Sequence, residues 1–450
     1  MSFRSSLAIL AGKSSRWFLH NFMHGGTSLP GKLTLKIDPN VLQTLAKDYE
    51  IIVITGTNGK TLTTALTVKI LESKFGHVLT NKSGSNMKQG IVTAFLSDKV
   101  SEKSGKKLAV LETDEANVPI ICRYVSPSIF VLTNLFRDQM DRYGEIYTTY
   151  DKILTGIRMH PDALVIANGD APIFNSKELK NKVVYYGFAD KEEEDQKAPA
   201  NTDGLLCPHC HHILHFKYRT YSNLGKYFCP ECGFKRPELT YSLNQISSQS
   251  PQSSVFEIDG AKVELHIGGT YNIYNALAAY SVGRALGLSG DESARALSDN
   301  DEKVFGRQEV INIDDKQTTL ILVKNPVGLD QVLEMISTDK EPFSLAVLLN
   351  ANYADGIDTS WIWDGNFEGL PFDRIPSVLT GGERYKDITF RLQVAGVPEK
   401  NFSQREKLED VVSFIKQMPT NHVYVLATYT AVLQLRKFLS EQGYIKGGMD

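Results

Sequence analysis

The chain has 450 residues, a length that predicts roughly two or three domains. Hydrophobic residues make up 42% of the chain and charged residues 22%, which is typical of a soluble globular protein. The net charge of −3 gives no basis for nucleic-acid binding through bulk electrostatics. No apolar run reaches the roughly 20 residues that a membrane-spanning helix requires.

The N-terminal segment, residues 1–45, is predicted to be helical. The apolar stretch Ser5–Leu10 is too short for a good signal peptide, so we expect a cytoplasmic protein. Residues 5–23 have the pattern of an amphipathic helix, which leaves two interpretations open. The helix either packs on the body of the protein or contacts a membrane surface or a partner, which would give a peripheral position at the inner face of the plasma membrane.

Short apolar segments alternate with helical patterns over residues 46–300. The predicted strands of this part are Ile51–Thr55, Leu108–Glu112, Ile129–Thr133, Ala163–Ala167 and Val183–Tyr186. Helices are predicted at Thr61–Phe75 and Tyr271–Leu288. Strands that alternate with helices indicate an α/β fold with a parallel sheet covered on both faces.

A second α/β series follows at residues 301–450 and is predicted to be a separate, smaller C-terminal domain. Its predicted strands are Thr319–Val323, Leu345–Leu349, Ser377–Thr380 and Val423–Ala427. Helices are predicted at Leu329–Ile336 and Ala431–Phe438. The charged segment 189–203 is interpreted as a solvated linker that enters an insertion at residues 202–239.

A glycine loop between the first strand and the first long helix predicts a phosphate-binding site. The loop consists of Gly56, Thr57, Asn58, Gly59, Lys60 and Thr61. A loop at a helix N-terminus presents backbone N–H groups to an anion. Lys60 is expected to reach the phosphates, and the Thr61 hydroxyl to bind Mg²⁺. The pattern G-x-x-G-K-T is shorter than the full P-loop pattern.

An acidic cluster follows the strand Leu108–Glu112. Phosphoryl chemistry requires an acidic metal ligand at the end of a nearby strand. Glu112 is the first candidate for the magnesium ligand, and Asp114 or Glu115 could serve instead. The other interpretation is a charged turn that leaves the edge of the sheet.

Four of the five cysteines form two C-x₂-C pairs in the predicted insertion. They are Cys207, Cys210, Cys229 and Cys232. This spacing is typical of a zinc ribbon, in which four thiolates bind Zn²⁺ and leave no open position for catalysis. Two disulfides are the alternative, which a cytoplasmic location disfavours. Binding of nucleic acid by the ribbon is a further alternative that the few basic residues nearby do not favour.

In combination these motifs resemble the Mur ligase family, the amino-acid-adding enzymes of peptidoglycan synthesis and their relatives. The motifs are T-G-T-N-G-K-T at 55–61, Glu112, T-N-L at 133–135 and Y-N-I-Y-N-A-L-A-A at 271–279. The resemblance implies an ATP-dependent ligase that forms an acyl phosphate. It further implies that Lys60 and Thr61 bind phosphate and magnesium, that Asn275 contacts adenine with support from Asn272, and that Arg307 opens the last domain.

The chain departs from the typical ligases at three places. Gln139 stands where those enzymes have a magnesium-binding histidine, and Leu154 stands where they have a lysine that becomes carbamylated. Only about fifty residues precede the phosphate loop, so we expect neither the usual domain for the nucleotide sugar nor a UDP-linked substrate.

These departures, the cysteines and the segment 354–364 resemble a narrower group, the ligase subunits of lipid II isoglutaminyl synthase. The resemblance implies that the D-glutamate α-carboxylate of the lipid II stem peptide becomes an amide, with ammonia from a glutamine amidotransferase partner, GatD. It implies that Asp355 completes the catalytic triad of that partner. From the residues alone, Asp355 and Gly356 would form a turn.

Two other functions remain open at this point. The first is an amino-acid-adding ligase of the same family, which would use an amino acid instead of ammonia. The second is an ATPase whose zinc ribbon binds nucleic acid, which would require a basic face and stacking aromatic residues around residues 207–236.

Overall fold

The structure is a computed structural model that describes residues 2–22, 28–81, 85–98, 107–137, 145–189, 195–198, 204–299 and 308–445. Within those ranges, every helix is too short or too polar to span a lipid bilayer. The predicted division at residues 46 and 300 and the predicted insertion at 202–239 stay predictions. The two large sheets and their cores are described below.

The secondary structure contains helices and strands in alternation. The α-helices are α1 (Phe3–Phe22), α2 (Leu29–Ile37), α3 (Val41–Ala46), α4 (Lys60–Phe75), α5 (Lys88–Ser97), α6 (Val118–Ile121), α7 (Ile146–Ile157), α8 (Thr270–Ala285), α9 (Gly290–Ser298), α10 (Pro326–Ser337), α11 (Tyr385–Val394), α12 (Leu408–Ile415) and α13 (Tyr429–Glu441). The strands are β1 (Tyr49–Thr55), β2 (Val78–Thr80), β3 (Lys107–Glu112), β4 (Pro127–Leu132), β5 (Leu164–Asn168), β6 (Val183–Phe188), β7 (Gln196–Lys197), β8 (His215–Tyr221), β9 (Leu224–Phe228), β10 (Tyr241–Gln249), β11 (Ser254–Ile258), β12 (Ala261–Leu265), β13 (Glu309–Ile313), β14 (Lys316–Leu322), β15 (Phe343–Leu348), β16 (Val378–Gly381), β17 (Phe402–Arg405) and β18 (His422–Ala427).

The first sheet contains nine strands among the described residues, in the order β12-β11-β10-β6-β5-β4-β1-β3-β2. Strand pairing is parallel from β2 to β10, which confirms the predicted α/β class. Strand β1 lies between β3 and β4, so the C-terminal ends of these three strands meet at one edge of the sheet. In parallel α/β sheets this edge is where ligands bind.

The other end of this sheet is antiparallel, which the sequence analysis did not predict. Strands β11 and β12 form a hairpin joined by Asp259 and Gly260, and β11 also pairs antiparallel with β10. The φ angles of the two turn residues are 48° and 85°. Positive φ at both central positions favours an Asp-Gly pair, because glycine has no Cβ and aspartate tolerates this region. The dipeptide was therefore a hairpin signal that the sequence analysis missed.

The second sheet has six strands within the described ranges, in the order β13-β14-β18-β15-β16-β17, and only β13 is antiparallel to its neighbour. Alternate residues of β18 pack on opposite faces. Tyr424 and Leu426 join one hydrophobic core with α10 and α11, whereas Val423 and Val425 join the other with α12 and α13. This alternation follows from the period of two in a strand, and it confirms a sheet covered on both faces.

A buried polar network attaches the small cysteine-containing sheet, β7-β8-β9, to the first sheet. The Asp170 carboxylate accepts hydrogen bonds from Tyr274 Oη (2.6 Å), the Phe188 N–H (2.8 Å) and Arg236 Nη1 (2.9 Å). Arg236 also donates to Tyr218 Oη of β8 at 2.6 Å. Because every partner of Asp170 in this network is a donor, the site requires the carboxylate.

We predict that Asp170→Asn lowers the free energy of unfolding by about 3–5 kcal/mol, the usual effect of breaking a buried ion pair. An asparagine amide would place a donor against donors and would leave the buried Arg236 without its carboxylate. Urea denaturation measures the change. Asp151→Asn is the matched control, because Asp151 is exposed in its pair with Lys177 and the expected loss is below about 1 kcal/mol. Equal losses of unfolding free energy for the two substitutions would contradict the stabilising role of the buried Asp170 carboxylate.

Candidate nucleotide site and metal centre

The phosphate loop, residues 56–61, runs from the end of β1 into α4. Gly56 and Gly59 have φ angles of 138° and 83°, in the region that favours glycine. A Cβ atom on Gly59 would also lie 2.0 Å from Oδ1 of Asn275 in α8. Glycine is therefore required at position 59 both by the backbone angle and by the close approach of α8.

Residues after β4 fix the loop from the other side. Asn134 accepts the N–H of Thr57 on its carbonyl (2.9 Å) and the N–H of Asn58 on its side chain (2.8 Å). Thr133 Oγ1 and Asn134 Nδ2 both donate to the Asn58 carbonyl at 3.0 Å. The T-N-L motif thus positions the phosphate loop.

Lys60 folds back over the loop in this structure. Its Nζ donates to the carbonyls of Gly56 and Thr57 and lies 3.3 Å from Glu115 Oε2. Burial raises the pKa of the Glu115 carboxyl, and the Lys60 charge opposes that rise. Glu115, one of the alternative magnesium ligands, is therefore engaged with the loop lysine.

Glu112 is the candidate magnesium ligand with an available carboxylate. Its backbone is fixed by Asn81, which accepts the Glu112 N–H (2.9 Å) and donates to the Glu112 carbonyl (2.8 Å). The residue is only 4% exposed, yet its carboxylate makes no hydrogen bond or ion pair with the described part of the chain. Hard divalent cations prefer carboxylate oxygens as ligands. The site therefore fits a magnesium ion.

Asn272 and Asn275 are buried in the first turns of α8, beside the phosphate loop. The Asn275 side chain accepts the Thr63 hydroxyl at 3.2 Å and donates to Asn272 Oδ1 at 3.3 Å. Both residues line a narrow pocket that also contains Tyr271 and Lys324, between the two sheets. This pocket has the planar amide groups that a nucleobase requires, and the contact with adenine stays a prediction.

An asparagine that follows β14 of the second sheet contacts the phosphate loop. The sequence analysis missed this contact. Asn325 and Asn58 exchange amide hydrogen bonds of 3.0 and 3.3 Å. Asn325 also accepts the N–H of Gly328 at 2.8 Å and so caps α10, which begins at Pro326. An Asn-Pro dipeptide before a helical pattern is a recognisable N-cap signal.

A cavity of about 880 Å³ lies beside the nucleotide pocket. It is lined from the cysteine unit by Arg219 and Tyr221, from the end of β4 by Arg137, and from the second sheet's side by Asp330 and Trp363. Arg137 Nη2 lies 3.2 Å from Asp364. Burial is the main cause that raises the pKa of Asp330 to about 6.

The four predicted zinc ligands come together. The Sγ atoms of Cys207 and Cys232 are 3.5 Å apart, those of Cys210 and Cys229 are 3.4 Å apart, and all four lie within 4.8 Å of one another. These distances are too long for disulfide bonds. A tetrahedral Zn²⁺ with Zn–S bonds of about 2.3 Å would separate its sulfurs by about 3.8 Å. The cluster therefore fits zinc.

Asp355 is buried at the C-terminal edge of the second sheet. Its carboxylate accepts the N–H of Thr430 (2.7 Å), the Thr430 hydroxyl (2.6 Å) and the N–H of Asn352 (3.0 Å). Its own N–H donates to the Asn352 carbonyl at 2.8 Å, and Gly356 has a φ of 88°. The predicted turn is confirmed, and Asp355 also satisfies backbone groups at the start of α13.

Comparison with known proteins gives matches at the levels of family, sequence and fold. The family model of the Mur ligase middle domain matches residues 54–219, and that of the MurT ligase C-terminal domain matches residues 322–432. The chain is 50% identical, over all of both chains, to the Streptococcus pneumoniae lipid II isoglutaminyl synthase (glutamine-hydrolyzing) subunit MurT. It is 35% identical to the Staphylococcus aureus (strain N315) subunit of the same name, over 87% of each chain.

The chain belongs to the MurT family. This confirms the predicted membership of the Mur ligases and of the narrower group. A pseudomurein peptide ligase type C from Methanothermus fervidus has a similar fold, with a TM-score of 0.66 at 19% identity over 90% of this chain and 81% of that one. The MurT-family chain is thus a ligase of the Mur type.

Most of the predicted site residues of this MurT-family chain gather at one edge of the first sheet. Glu112 ends β3 beside the end of β1, and Asn272 and Asn275 lie beside the phosphate loop, residues 56–61. Arg307 and the segment with Gln139 lie outside the described residues. Leu154, at the position of the carbamylated lysine, is buried in α7. The sequence analysis missed the roles of Asn81, which fixes Glu112, and of Asn325.

We predict that Gly59→Ala abolishes nucleotide binding and lowers the melting temperature, because the new Cβ would clash with Asn275. Titration with a fluorescent ATP analogue measures binding. Gly443→Ala is the matched control, because Gly443 has a similar φ of 81° at the end of α13 and its Cβ would meet no atom within 4 Å. The control isolates the backbone strain of about 1–2 kcal/mol and should bind nucleotide normally. Normal binding by Gly59→Ala would contradict the account.

We predict that Asp330→Asn stabilises the chain at pH 8 by about 1–3 kcal/mol and has no effect near pH 4. The folded-state pKa of Asp330 is raised, so its contribution is complete below the unfolded-state pKa and is lost as the pH rises through about 6. Asparagine retains an acceptor for the N–H of Asn366. Urea denaturation at both pH values is the measurement, and a pH-independent difference would contradict the assignment.

Proposed function

We propose that this chain catalyses the ATP-dependent amidation of the D-glutamate α-carboxylate in the stem peptide of lipid II, a step of peptidoglycan synthesis. The observation that carries the proposal is the full-length identity of 50% to the S. pneumoniae subunit named for this activity. The phosphate loop and the Glu112 carboxylate, which has no partner among the described residues, support it, since both suit phosphoryl transfer.

The phosphate loop would bind ATP between the two sheets. Backbone N–H groups at the start of α4 face the phosphates, and Lys60 would leave the loop carbonyls to neutralise them. Thr61 and Glu112 would hold Mg²⁺, which supplies charge neutralisation on the phosphates when bound. Asn275, with support from Asn272, would contact the adenine, and Arg307 would complete the nucleotide site.

The reaction would proceed in two steps at this edge of the sheet. A carboxylate oxygen of the substrate attacks the γ-phosphorus of ATP, and ADP leaves, which gives an acyl phosphate. Ammonia then attacks the carbonyl carbon and phosphate leaves, which gives the amide of D-isoglutamine. The cavity of about 880 Å³ suits the stem peptide, because Arg137 and Arg219 line it and can bind carboxylates.

A glutamine amidotransferase partner, GatD, would supply the ammonia. The chain itself offers no thiolate for glutamine hydrolysis, because four of its cysteines form the metal cluster and burial raises the pKa of Cys122 to about 12. Asp355 would orient the catalytic histidine of the partner. Its hydrogen bonds to Thr430 and Asn352 hold the carboxylate rigid, as such an orienting residue requires.

The four cysteines would bind a structural zinc ion. Four thiolates complete a tetrahedral shell and leave no position for a substrate. The metal would stabilise the unit that carries Arg219 and Tyr221 to the wall of the large cavity. The enzyme would act at the inner face of the plasma membrane, where a lipid-linked substrate lies.

The test is mass spectrometry of lipid II after incubation with the full chain, ATP, Mg²⁺ and ammonium chloride. We expect the mass change of carboxylate to amide. Glu112→Gln should reduce the rate by about two orders of magnitude through loss of the metal ligand. Glu264→Gln, an exposed position on β12, is the matched control. Product formation with an added amino acid instead of ammonia would contradict the proposal in favour of an amino-acid-adding ligase.

A second assay, with glutamine and GatD, tests the role of Asp355. We expect Asp355→Asn to abolish glutamine-driven amidation and to spare ammonium-driven amidation. If Asp355 only caps α13, both reactions should fall together as the second sheet loses stability. That outcome would remove Asp355 from the partner's catalytic triad while the ligase assignment stands.

A further inference from the structure

Helix α1 packs on the protein through its small residues. Ser5, Ala8 and Gly12 face inward, and Ser5 Oγ donates to the buried Asp38 carboxylate at 2.6 Å. A Cβ atom on Gly12 would lie 2.2 Å from Thr34 Oγ1 of α2. The inner face of α1 is therefore closely fitted against α2, and its orientation is set by small side chains.

The large apolar residues of α1 point in the opposite direction. They are Phe3 (87% exposed), Leu7 (50%), Leu10 (64%), Trp17 (64%) and Phe18 (52%). Their spacing of four, three, seven and one places them along one side of the helix, together with the exposed Ser14. A helix that only covers a core places its large apolar residues inward, so α1 has the reverse arrangement.

Helix α2 also exposes apolar residues. Leu29 and Leu33 are exposed beside α1, which packs against α2. We call the exposed apolar residues of the two helices the N-terminal apolar face. A group of exposed leucine and aromatic side chains on two packed helices usually marks a contact with a membrane or another protein.

The charge of the N-terminal segment indicates whether a membrane or another protein contacts the N-terminal apolar face. Residues 1–37 contain the basic residues Arg4, Lys13, Arg16, Lys32 and Lys36 and no acidic residue, although the whole chain has a net charge of −3. None of the five forms an ion pair with another described residue. A segment that exposes apolar aromatic residues and whose charged residues are all basic matches the surface of an anionic bilayer, where each basic residue near the surface adds attraction.

We propose that the N-terminal apolar face binds the surface of an anionic lipid membrane, with α1 lying in the plane of the interface. The helix has 20 residues and is about 30 Å long, so it can lie along the headgroups with its aromatic side chains inserted. The biological role of this membrane contact rests on the proposed function, because the contact would hold the enzyme beside a lipid-linked substrate.

The test is co-sedimentation of the full chain with vesicles of phosphatidylglycerol and phosphatidylcholine that contain no lipid II. We expect binding that weakens at high salt and is largely lost with phosphatidylcholine alone. Leu7→Ser combined with Leu10→Ser should weaken binding by about ten-fold or more. Phe390→Ser is the matched control, since Phe390 is equally exposed on α11 and belongs to the other sheet. An unchanged melting temperature shows that the double variant is folded.

A fluorescence measurement reports the contact directly. The chain has three tryptophans, so replacing Trp361 and Trp363 with phenylalanine leaves Trp17 as the only one. We expect its emission to shift to shorter wavelength when anionic vesicles are added. The absence of vesicle binding would overturn the proposal. So would equal binding by the Leu7/Leu10 variant, or a dimer that this variant dissociates, which would assign the face to a protein contact.

The same variant separates this proposal from the proposed function. With lipid II dissolved in detergent, the Leu7/Leu10 variant should amidate at the rate of the parent chain, because the nucleotide site is unchanged. Failure of the parent chain to amidate lipid II would contradict the proposed function but would not affect the conclusion from vesicle binding. Loss of amidation by the variant alone in detergent would overturn the membrane role of the face.

Discussion

The site depends on hydrogen bonds from asparagine side chains to the phosphate loop. Asn134 holds the loop from β4, Asn275 contacts it from α8, and Asn325 pairs with Asn58 from the start of α10. An amide side chain both donates and accepts, so it can bind a loop that has little regular backbone pairing. Because the third asparagine belongs to the second sheet's side, both α/β units contribute to one site.

Some polar side chains near the phosphate loop form hydrogen bonds within the protein, whereas others are available to bind a ligand. The available side chains indicate where the reaction occurs. Glu115 and Asn134 use their side chains to hold the loop and its lysine. Glu112 is equally buried but leaves its carboxylate unpaired with the described residues, while its backbone is fixed by Asn81. A carboxylate that is held in place and has no partner among the described residues is available to bind a cation.

Local patterns predicted the loop, the cysteine cluster and nine of the eighteen strands in the described residues, because each depends on residues that are close in sequence. The strand β1, the glycines and α4 are consecutive, and each C-x₂-C pair is a short turn. The roles of Asn81 and Asn325 could not be read in this way, since each acts on a residue far away in the chain. Asp355 combines both cases: its turn is local, whereas its bonds to Thr430 span the second sheet.

The central claim is that this site activates a carboxylate as an acyl phosphate before the amine reacts. Positional isotope exchange tests it most directly, with ATP labelled by ¹⁸O in the β,γ-bridge and no ammonia present. The account predicts that the label moves to the non-bridging oxygens of the β-phosphate only when lipid II is added, and that Glu112→Gln stops the exchange. Amidation without any exchange, under conditions where ADP stays bound long enough to rotate, would contradict it.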